Sequence, residues 1–63
     1  MNALERYAKK AGINPFMALL NLYFEVYGEV NDSVIGIYFM WKKTNKLPKE
    51  LADRLSVALR PPR

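Results

Sequence analysis

Neither cysteine nor histidine occurs in this chain of 63 residues. That pair of absences constrains the fold more than any motif does. A short domain buries a smaller share of its surface than a large one. Small domains compensate with disulfides, a metal, a partner subunit or a dense apolar core. Without cysteine there is no disulfide and no thiolate site, and without histidine the commonest metal ligand is missing. A core or a partner remains. Hydrophobic residues make up 51% of the chain, including Trp41, three Phe and four Tyr, which is ample for a core. Conformational entropy still nearly offsets the gain at this size, so a homodimer is an expected way to add buried surface.

Four helical segments separated by turn signals can be read, and they predict a compact all-α bundle of four short helices. The first spans about Ala3–Ala11, with Asn2 as cap, Glu5 completing a capping box and Gly12 as a left-handed stop. Ala3, Leu4, Tyr7, Ala8 and Ala11 share one face at helical spacing; Arg6, Lys9 and Lys10 lie on the other. The second spans about Pro15–Tyr27, capped by Asn14, with Pro15 at the first helical position and Gly28 at its end. Its polar stripe is narrow, Asn21 and Glu25 with Ala18 beside them, and apolar residues from Phe16 to Tyr27 cover the rest. A helix apolar on most of its circumference is expected to be buried on several sides. The third spans about Ser33–Lys43, with Asp32 or Asn31 as cap. β-branched and aromatic residues here also suit a strand, but no second strand candidate exists, so a strand would have to pair across a dimer; helix is favoured. The fourth spans about Pro48–Leu59, with Leu51, Ala52, Leu55, Ala58 and Leu59 on one face. Residues 1–60 thus form one helical domain and 61–63 a loose tail.

Enzymatic chemistry finds no constellation. Nucleophilic triads usually need a histidine base. The six carboxylates have structural readings: Glu5 and Glu50 in first turns, Asp32 as a cap, and Glu25, Glu29 and Asp53 solvated. The three glycines are scattered singly, so no phosphate loop exists. No catalytic residue, metal, cofactor or small-molecule substrate is expected. Binding is.

The formal net charge is +4, which favours polyanions but also suits ordinary solubility. Lys42, Lys43, Lys46 and Lys49 cluster beside Trp41 at the junction of the third and fourth helices. Arg6, Lys9 and Lys10 form a second group. Both groups are candidate phosphate contacts, with Asn31, Ser33 and Asn45 as candidate groove contacts.

The run from Asn2 to Gly12, and that from Trp41 through Leu47-Pro48 to Leu55, resemble the two ends of small Cro-like and YdaS-like helix-turn-helix proteins of phages and prophages. The resemblance implies a helix-turn-helix fold, duplex DNA as partner and a role in transcription regulation for a phage or mobile element. It implies that Trp41 closes a recognition helix, that a basic turn follows, and that the small residue of the first motif helix falls at Phe24. The middle departs from the pattern. Gly28 and Trp41 are further apart than the compact motif has them. The helix that should carry polar side chains to base edges offers Ile35, Gly36, Phe39 and Met40 instead.

Those residues carry the alternative reading. Ile35, Phe39 and Met40 lie opposite Val34, Ile37 and Trp41, and an exposed apolar patch marks an interaction surface, unless the second helix wraps both faces. The alternative is a protein-binding module, such as a phage-type modulator or a homodimerising domain. Membrane binding is not expected, because the apolar face of the first helix is alanine-rich and weak. No signal peptide precedes the first helix, so a cytoplasmic protein is the expectation.

Overall fold

The computed structural model describes residues 2–60, and the expected tail at 61–63 lies outside them. Four helices follow one another: α1 (Ala3–Ala11), α2 (Pro15–Tyr27), α3 (Ser33–Thr44) and α4 (Lys49–Ala58). The fold is the all-α bundle expected, and residues 33–44 are helical rather than extended. Among the described residues no helix is long and apolar enough to cross a membrane.

Local chemistry explains most boundaries. The Asn2 side chain accepts from the Glu5 N–H at 3.0 Å, and the Glu5 carboxylate accepts from the Asn2 N–H at 3.4 Å, a reciprocal capping box. Asn14 accepts from the Met17 N–H at 2.8 Å. Gly12 (φ 73°) and Gly28 (φ 75°) end α1 and α2 in the left-handed region, where a Cβ is disfavoured. Asn45 does the same for α3 at φ 59°. Pro48 precedes α4 rather than opening it, and α4 closes at Ala58.

The entry to α3 differs from a simple cap. Asp32 has α-helical backbone angles and its side chain makes no capping bond. Asn31 acts instead. Its Oδ1 accepts from the Ser33 N–H at 2.9 Å and from the Tyr23 hydroxyl at 3.0 Å, while its Nδ2 donates to Glu29 at 2.8 Å. One side chain thus closes the turn and ties it to the end of α2.

The core contains Leu4 and Ala8 of α1; Ala18, Leu19, Leu22 and Tyr23 of α2; Val34 and Trp41 of α3; and Leu51 and Leu55 of α4. Helix α2 is central and packs on all three others, while the backbone of α3 approaches only α2. Helix α3 folds back along α2: Asn31 meets Tyr23 at one end, and the Tyr38 ring packs edge-on against Phe16 at 5.1 Å at the other. The far end of α3 is tied to the start of α1 by the Asn2 Nδ2 donating to the Asn45 Oδ1 at 2.8 Å. Arg54 of α4 donates to Glu25 of α2 at 2.6 Å. That pair is open to solvent, so it contributes about 0–1 kcal/mol.

Helix α2 is not buried as its composition suggested. Ala18, placed beside the polar stripe from sequence, is fully buried. Phe24 is 59% exposed, and Met17 and Tyr27 are also exposed. A three-helix contact covers only part of the circumference of α2, and the apolar excess is left outside.

Two tyrosines hold their protons more firmly than the ordinary value of 10.0. For Tyr7 burial is the larger cause and the charge of Glu25 adds to it, against an opposing effect of Arg54. For Tyr27, whose side chain is only partly covered, the water lost around the phenol leads, followed by the charge of Glu50.

Both the turn and the tyrosines can be probed by unfolding. Asn31→Ala should cost about 1–2 kcal/mol in denaturant unfolding, since it orphans a partly buried hydroxyl and a helix-start N–H, whereas Asp32→Ala should change stability little. As the pH rises past about 10 the unfolded chain releases phenolic protons that folded Tyr7 and Tyr27 keep, so stability should fall with rising pH there. Phenolate absorbance and denaturant midpoints taken across that range check this.

Candidate docking surface on helix α3

The rotation of α3 is set by two inward residues seven positions apart, Val34 and Trp41, both nearly fully buried. Residues seven apart lie on one face of a helix. Ile37 and Tyr38 flank them and are half-buried. Everything opposite must therefore point away from the bundle. Ile35 is 46% exposed, Phe39 60% and Met40 57%. Gly36 sits among them, and a Cβ built on it meets nothing within 4 Å. The second helix does not wrap this side. An aromatic ladder joins it to α2: Phe16 packs on Tyr38, whose ring lies 6.4 Å from that of Phe39. Exposed Phe24 and Met17 on α2 add to the apolar surface of the domain.

The basic residues are placed less coherently. Lys42, Lys43 and Lys46 are exposed, and among the described residues no carboxylate lies within ion-pair distance of them. Lys49 does have a partner, Asp53, at 3.5 Å across one turn of α4. Lys42 borders a recess shared with Glu5, Tyr38 and Trp41. Lys46 borders a different one, with Met40, Ile37 and Pro48. Lys43 lies between, one turn beyond Phe39 on the outward face of α3. On α1, Arg6, Lys9 and Lys10 are exposed, and Arg6 borders a third recess that also receives Arg60.

Of the three candidate groove contacts, two already serve the fold. Asn31 spends both ends of its amide on the α2–α3 turn, and the Asn45 carbonyl is taken by Asn2. Ser33 is exposed at the start of α3, beside Gly36 and Met40. Glu25 and Asp53, expected to be merely solvated, each hold a cation.

Sequence reasoning missed the outward Phe24 and Met17. The signal was present: on a helical wheel both lie beside Asn21, on the side away from Glu25. It also placed the motif's small residue at Phe24, whose ring points outward, whereas the small residue packed inside α2 is Ala18. Trp41 does not close its helix, which runs one turn further to Thr44. Compared with protein-family models, curated proteins and solved structures, the chain matches none.

Proposed function

We propose that this chain is a binding module that docks another protein through the outward face of α3. One observation carries the reading: Ile35, Phe39 and Met40 are each about half exposed or more on a helix whose buried side is already satisfied by Val34 and Trp41. A helix needs one apolar face to join a bundle, and a second such face costs solubility unless something covers it. Aromatic side chains commonly anchor interfaces of this kind. Phe39 at the centre, Met40 beside it and a lysine rim at Lys42 and Lys43 fit an apolar centre with a polar edge.

A second reading is a DNA-binding regulator of phage or mobile-element type, in which Lys42, Lys43 and Lys46 grip phosphates and Arg6, Lys9 and Lys10 touch the flanking backbone. The absence of an acid partner for Lys42, Lys43 and Lys46 among the described residues favours it. The outward face of α3 argues against base readout, since Ile35, Gly36, Phe39 and Met40 offer no hydrogen-bonding side chain to a base edge.

A photoreactive phenylalanine at position 39, expressed in the cells that encode the chain, should form protein adducts; the same group at exposed Ser56 should not. Phe39→Asp should keep the helical signal and the unfolding midpoint close to the parent, because the ring contributes little to the core. Absence of adducts at position 39, or loss of the fold in Phe39→Asp, would remove this reading. Duplex DNA titrated at two salt concentrations tests the second. If it holds, replacing Lys42, Lys43 and Lys46 together by Gln weakens all duplexes alike, and the logarithmic salt slope shrinks by about 0.9 for each phosphate no longer neutralised.

A further inference from the structure

We infer that the partner of α3 is a second copy of this chain, docked antiparallel about a two-fold axis through the middle of the helix. This rests on the docking reading of α3 above and adds the identity and register of the occupant. Its basis is the order of four residues along the outward stripe: Asp32, Gly36, Phe39 and Lys43. Their spacings of four, three and four are those of one continuous stripe on a helix. Asp32 belongs to the stripe because its backbone is already α-helical (φ −64°, ψ −17°).

Along that stripe the chemistry reads acid, small, large, base. Reversed, it reads base, large, small, acid. When two copies lie antiparallel with Gly36 opposite the partner's Phe39, Asp32 comes opposite the partner's Lys43, and symmetry repeats both contacts. A two-fold interface must be self-complementary in this way. Each large side chain meets the position with no side chain, and each acid meets a base.

Contacts within the protomer leave these side chains unused. Gly36 has no positive φ and no neighbour within 4 Å of a built Cβ, so the fold does not require glycine there, although glycine weakens a helix interior. Asp32 makes no capping bond, and neither Asp32 nor Lys43 forms an ion pair among the described residues. Their charges do suit the ends of their own helix, and antiparallel pairing sets each end beside the opposite end of its partner. Ile35 flanks the stripe on one side and Met40 on the other, so both border the seam. The backbone of α3 approaches only α2, leaving the outer side open to a second helix.

The test is sedimentation equilibrium of the full chain over roughly 10–500 μM, a span that detects micromolar association, with Asp32→Lys and Lys43→Asp made separately. The parent should dimerise. Each variant places like charges at both ends of the seam and should weaken dimerisation at least about tenfold, with helicity by circular dichroism retained. Mixed together, the two variants restore an acid opposite a base at both ends, and the mixture should sediment as a heterodimer. A monomeric parent, single variants that dimerise like the parent, or a mixture that stays monomeric would each overturn the pairing. A monomeric parent that still forms adducts with a different protein at position 39 would overturn self-pairing and leave the docking reading standing.

Discussion

Val34 and Trp41 decide what the outside of this protein looks like. They are the inward pair of α3 and fix its rotation about its own axis. Trp41 belongs to the same buried cluster as Leu4 of α1 and Leu55 of α4, although the backbone of α3 approaches neither helix. Once that ring is placed, the apolar residues across the helix have no route back into the core. The hydrogen bond between Asn2 and Asn45 and the edge-on contact of Phe16 with Tyr38 hold the same orientation from two other directions.

The consequence is a domain with more apolar surface than its core can use. Three short helices meet around α2, and a contact of that geometry covers only part of any helix. Phe24 on α2 and Phe39 on α3 are left outside. Burial of apolar area is the main favourable term in both folding and association. A small domain with little stability to spare gains by covering this surface with a partner. Of the lysines near Trp41, Lys42 and Lys46 border different recesses, and Lys49 faces Asp53 at 3.5 Å in an exposed pair.

Much of this could be read from the residues. The capping box at Asn2 and Glu5, the Asn14-Pro15 start and the glycine stops at 12 and 28 mark helix ends through local chemistry, which a sequence states directly. The opposite sides of α3 were also visible, since Val34 and Trp41 are seven apart and Phe39 falls between them. What could not be read depended on three-dimensional neighbours. Asn31 as the organiser of the α2–α3 turn needs the Tyr23 hydroxyl, eight residues away, to arrive at its carbonyl. The pairing of Glu25 with Arg54 needs α2 and α4 to lie side by side. The burial of Ala18 and exposure of Phe24 follow from which side of α2 its three partners take, and composition alone assigned those two residues the wrong way round.

The orientation of α3 can be measured directly by nuclear Overhauser spectroscopy on a dilute sample. Cross-peaks are expected from the Trp41 indole to Leu4 and Leu55, and from the Phe39 ring to Tyr38 but to no residue of the α2 core. Cross-peaks between Phe39 and Leu19 or Leu22 would mean that α3 is turned the other way, and the outward face described above would not exist.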